Sequence, residues 1–153
     1  MHQRKQKCPL ALSILSAVCA VAAIAFYFLP IYYVHNVFRL LTAEFVNIWV
    51  MMFKVEAAHT FFYKIFPFIM YGSIALLAVW AILSLIRLKA AGVIGLIASI
   101  FQALIGAAWF YYALVNASQL ASYNFRMTPV PYLMPVLGIV GIVLSIIQIK
   151  KSK

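Results

Sequence analysis

The sequence predicts an all-α membrane protein: a four-helix transmembrane bundle with an amphipathic helical outer segment between the first and second spans. Three observations carry this prediction. Of the 153 residues, about one domain's worth, 67% are apolar, where soluble domains are roughly half apolar, and the mean hydropathy is +1.07. Apolar runs recur at about the twenty-residue length that an α-helix needs to cross about 30 Å of hydrocarbon. Charge is scarce, with 12 Lys and Arg against 2 acids, and Asp does not occur. The chain reads as a single integral membrane domain, 1–153, with spans at 9–29, 65–86, 90–115 and 130–149 and an outer segment at 30–64.

The first span follows a basic start, Arg4, Lys5 and Lys7. A basic start before an apolar run is also the plan of a signal peptide, but this run exceeds the roughly 7–15 residues of a signal core, so the segment is expected to stay as an anchor. Leu15-Ser16-Ala17-Val18-Cys19 has the outline of a lipoprotein box, with Val18 too bulky for the position before the cysteine. Cys8 and Cys19 lie about three turns apart on one helix, too far for a disulfide. No Cys-x-x-Cys occurs, which removes a disulfide-exchange role.

Residues 30–64 are mostly apolar and lack turn signals between Pro30 and Pro67, so they read as helix. A spacing of four then three from Val34 selects Phe38, Leu41, Phe45, Ile48, Met52, Val55, His59, Phe62 and Phe66, with the charged residues off this seam. One long or two shorter amphipathic helices against the outer interface are expected. A fifth span is disfavoured, because Arg39 and Glu44 would each cost about 2.5–3.5 kcal/mol near the bilayer centre.

In the third span small residues recur at every fourth position, Ala91, Gly95, Ser99, Ala103 and Ala107. Such a ridge lets a neighbouring backbone approach where lipid supplies no hydrophobic drive for association. The second span has a weaker series, Gly72, Ala75, Ala78, Ala81 and Ser84, and the last has Gly138, Gly141 and Ser145. Pro135 falls in the first turns of the last span, where a missing N–H costs little.

Orientation follows from charge. Arg4, Lys5, Lys7, Arg87, Lys89, Lys150, Lys151 and Lys153 crowd the tails and the tight 87–90 turn, against Arg39, Lys54, Lys64 and Arg126 in the two longer connections. The positive-inside rule then puts both termini in the cytoplasm, with the chain multi-pass in the cytoplasmic membrane, inner or plasma. These basic residues flank spans rather than line a groove, so nucleic acid is not an expected partner.

No Asp, Glu, Lys, Arg or His falls inside the spans, and Gln102 is their deepest polar side chain. Ion-coupled transport and proton relays need buried ionisable groups. Glu56 and His59 form a helical Glu-x-x-His, and with His35 they are the only candidates for a metal. A carboxylate-bridged bundle site needs that motif twice plus two more carboxylates, and only Glu44 remains, so no metal and no cofactor is expected. With no phosphate loop and no nucleophile elbow, no enzyme is expected either.

The 24 aromatic residues concentrate in 26–71 and 109–132, the two outer-facing stretches, with only Trp80 and Phe101 elsewhere. An interfacial belt should appear on both faces, so something on the outer side wants aromatics: a self-packed cap, or a surface for lipid or protein. Phe45, Trp49, Phe53, Phe61, Phe62 and Tyr63 are the candidate surface.

Four passes, a long first outer loop, short later loops and internal termini resemble the claudin-type tetraspan layout. The stretches LPIYYVHNVFRLLTA and PVPYLMPVLGIVGIVLSI are similar to small four-pass bacterial membrane proteins of that plan. Residues 30–64 hold neither the Gly-Leu-Trp motif nor the cysteine pair of the claudin loop, so the resemblance implies a layout and no junction-forming role. The functional expectation is a non-enzymatic accessory or scaffold protein that presents its aromatic outer surface to a larger membrane protein, a second copy of itself or the lipid bilayer. The alternatives are a small channel or transporter subunit, and a lipid- or quinone-binding component of a membrane redox or enzyme complex.

Overall fold

The computed structural model describes residues 8–28, 30–35, 43–47, 61–122, 125–127 and 129–152. Four helices dominate: α1 (Leu10–Phe28), α2 (Phe61–Leu85), α3 (Ala90–Ser122) and α4 (Val130–Lys151). Each is long and apolar enough to cross a membrane. In hydrocarbon only the chain itself can satisfy its N–H and C=O groups, and a helix satisfies them within one segment. The protein is a multi-pass membrane protein built as a four-helix bundle. Helix α3 has 33 residues, about 50 Å at 1.5 Å per residue, so its last turns reach past the hydrocarbon.

The helices form a ring in chain order, with α4 closing against α1. Neighbours run antiparallel. Gly92, near the start of α3, lies against Ile149 near the end of α4; Gly95 lies against Ser145; and Gly106 lies against Met134 and Pro135 near the start of α4. Arg87, in the turn between α2 and α3, donates from Nε to the Cys8 carbonyl at 2.7 Å. One end of the bundle thus gathers the start of α1, the 86–89 turn and the end of α4. Arg87, Lys89, Lys150 and Lys151 make this the basic end.

Small residues point inward and large ones outward. Helix α1 buries Ser13, Ser16, Ala17, Cys19, Ala20, Ala23 and Tyr27 and exposes Leu10, Ile14, Leu15, Val18 and Val21. That inversion suits lipid, where close backbone approach holds helices together and outward Leu, Ile and Val meet acyl chains. Trp80, fully buried, fills the space that so many small side chains leave at the centre.

The structure corrects the third-span ridge. Ala91, Gly95 and Ser99 are buried and Ala103 is half-buried, but Ala107 is exposed. Four residues turn a helix through about 400°, so five positions at every fourth residue sweep about 160° and leave the interface. The contact row combines steps of three and four: Gly92, Gly95, Ser99, Ala103 and Gly106, meeting Ile149, Ser145, Gly141, Gly138 and Pro135. A Cβ added at Gly138 would stand 2.5 Å from the Ala103 nitrogen, so at that level the two backbones touch.

The outer segment is corrected too. Residues 30–35 and 43–47 are strands, not helix: β1 (Pro30–His35) pairs antiparallel with β2 (Ala43–Asn47) and, on its other side, with β3 (Phe125–Met127) from the α3–α4 connection. The sheet order is β2-β1-β3. Ile31, Tyr32, Tyr33 and Val34 are β-branched or aromatic residues that suit a pleated strand, and Pro30 opens the strand, where its missing N–H is tolerated. A four-three seam says little in a stretch where most residues are apolar. Residues 61–64, also assigned to the outer segment, are instead the first turn of α2, while residues 48–60 lie outside the described residues. The sheet follows α1 and precedes α4, so it sits at the end opposite the basic one.

Candidate functional site

Two places in the fold gather the candidate residues: the strand-bearing end and a polar seam inside the bundle. At the strand-bearing end, Phe45 lies within β2, paired in register with Tyr33, and Tyr33 pairs with Arg126 across β1's other edge. Phe45 is therefore not the first member of a helical stripe with Trp49 and Phe53, which lie outside the described residues. Phe61, Phe62 and Tyr63 open α2, placing them at the same end of the bundle as the sheet. His35 closes β1 opposite Ala43. Glu56 and His59 lie outside the described residues, and among the described residues no three His, Cys, Asp or Glu side chains come together as a metal cluster.

The aromatic residues at this end divide into two sets. Tyr27 and Trp109 are buried, and Phe110 meets Tyr132 edge-on at 5.5 Å, tying α3 to α4. These residues pack between the helices, Phe110 while still 37% exposed. Phe28, Phe68, Tyr71 and Tyr111 instead stand outward around the bundle, with Phe68 74% and Tyr111 69% exposed. The two sets lie side by side, and the second keeps the larger exposed area.

The polar seam was missed by sequence reasoning. Trp80 Nε1 donates to Gln148 Oε1 at 3.0 Å, and Gln148 Nε2 donates to Ser84 Oγ at 3.2 Å, so one amide joins α4 to two positions of α2. Tyr27 and Ser73 share a hydrogen bond of 2.9 Å between α1 and α2. Ser13, Ser16, Ser99, Gln102 and Ser145 are also buried, and Gln102 has no hydrogen-bond partner for either end of its amide among the described residues. A sign of the seam was present in the sequence. Gly138, Gly141, Ser145, Gln148 and Ser152 alternate threes and fours along α4, all of them buried, but Gln148 stands so near the predicted end of its span that it reads as a boundary residue.

Chemically the seam is a clasp. Its bonded groups are spent on one another, and among the described residues no carboxylate, imidazole or ammonium enters it. Compared with protein-family models, with curated proteins and with solved structures, the chain matches none.

Proposed function

We propose that this protein is a non-enzymatic accessory or scaffold protein of the cytoplasmic membrane, with both termini cytoplasmic, that presents its strand-bearing end to a larger membrane protein. The supporting observation is the one-sided collar of exposed aromatics, Phe28, Phe68, Tyr71 and Tyr111, standing beside a three-stranded sheet. Aromatic side chains supply large contact area with few rotatable bonds and dominate the anchors of protein interfaces. A simple interfacial belt would put Tyr and Trp at both ends of the spans, and the basic tails and the 86–89 turn hold none, Trp80 being buried inside the bundle. The bundle interior is compatible with this role, since Trp80, Gln148 and Ser84 pair with one another and among the described residues no buried charge offers a relay or a general acid.

Affinity purification of the tagged protein in a mild detergent tests the reading. The expected result is a larger membrane protein recovered in stoichiometric amount by the parent and lost from a Phe45→Ser variant that still inserts and melts normally. A symmetric homo-oligomer with a polar central path would favour a channel subunit instead, and an extractable absorbing ligand would favour a redox component.

A further inference from the structure

We infer that the basic end holds an anionic phospholipid headgroup, with the Arg87 guanidinium as its fork. The first observation is a backbone anomaly. Helix α2 ends with the Leu88 N–H bonded to the Leu83 carbonyl and the Arg87 N–H bonded to the Ser84 carbonyl, both at 3.0 Å, the pair of bonds that defines a Schellman cap. The residue after the cap takes the left-handed conformation and is usually glycine. Here it is Arg87, at φ 59°, the only non-glycine with positive φ among the described residues. A bulky side chain in a place that favours glycine is strain that a function can repay.

The second observation is how that side chain is held. Nε donates to the Cys8 carbonyl, which fixes the plane of the guanidinium and leaves both terminal nitrogens without a partner among the described residues. A planar fork with unspent N–H groups matches two oxygens of a phosphate. Lys89 flanks it in sequence, and Lys150 and Lys151, both exposed, come to the same end because Gly92 lies against Ile149.

The third is the missing counter-charge. The chain's only acids are Glu44 and Glu56. Glu44 sits in β2 at the opposite end, Glu56 lies outside the described residues, and neither α1 nor α3 has an acid in its first turn. Among the described residues no side-chain carboxylate stands at this end to neutralise Arg87, and the surface that meets this end of a membrane-spanning bundle is a lipid leaflet. Basic residues beside a span are ordinary topology signals; an arginine strained into a glycine position and anchored by one nitrogen goes beyond that signal.

Native mass spectrometry of the full chain, titrated in detergent with phosphatidylglycerol or with phosphatidylcholine, tests the site. The parent is expected to hold phosphatidylglycerol about tenfold more tightly. Arg87→Lys keeps the charge and is expected to lose most of that preference, because an ammonium cannot both hold Cys8 and present a fork. Arg87→Gly relieves the backbone, so it separates binding from folding: its melting temperature should stay close to the parent's while the preference disappears. Equal binding of both lipids by the parent, or a preference retained in Arg87→Lys or Arg87→Gly, overturns the inference.

Discussion

Gln148 uses both ends of its amide, accepting from Trp80 and donating to Ser84, and all three side chains are buried. Replacing Gln148 with Leu removes two hydrogen bonds and strands an indole N–H and a hydroxyl in an apolar interior. Interhelical hydrogen bonds in membranes average about 0.6 kcal/mol and reach about 1.7, so Gln148→Leu should cost about 1–2 kcal/mol, read as a lower melting temperature in detergent. Tyr27→Phe breaks a single bond and should cost less, about 0.6 kcal/mol. The sequence makes Gln102 conspicuous as a mid-span amide, whereas the structure gives the bonded role to Gln148. Spacing along one helix cannot say which amide finds an indole across the bundle.

At the scale of elements, α3 and α4 make the tightest contact, and glycine sets its closeness. An ideal Cβ at Gly95 would stand 2.6 Å from Ser145 Oγ and press on the Trp80 indole, while at Gly72 nothing lies within 4 Å. Gly95→Leu is therefore expected to destabilise by about 1–3 kcal/mol or more through overpacking. Gly72→Ala should stabilise by about 0.5–1 kcal/mol by removing a flexible residue from a helix interior. Thermal melts of both variants in one detergent check the pair, and a Gly95→Leu protein that melts like the parent would mean that α3 turns this face elsewhere. The four spans are legible in the sequence because an uninterrupted apolar run of span length has few other readings. The strands are not, because β1 takes one partner from β2 and the other from β3, more than ninety positions along the chain, and no local pattern announces such pairing. Phe45 shows the consequence for the candidate site: its place near the end of the bundle follows from the sequence, its backbone does not.

For the molecule as a whole, the bundle has a basic end and a strand-bearing end, and orientation in the membrane follows from which end the cell retains. In a background lacking Cys8 and Cys19, single cysteines at Glu56 and Asn124 should react with a membrane-impermeant reagent added outside intact cells, and those at Lys7, Lys89 and Lys151 should not. Labelling at 89 with protection at 56 would invert the topology. The central claim is that the aromatic, strand-bearing end meets a partner, and changing Phe45, Trp49 and Phe53 together to Ser tests it most directly, with co-purification and melting temperature measured on the same sample. The spans carry their own apolar length and their own packing rows, so the variant is expected to insert and melt near the parent temperature while losing the partner. A variant that keeps both the parent's stability and its partner would contradict the claim and leave these three residues resting in the lipid headgroups.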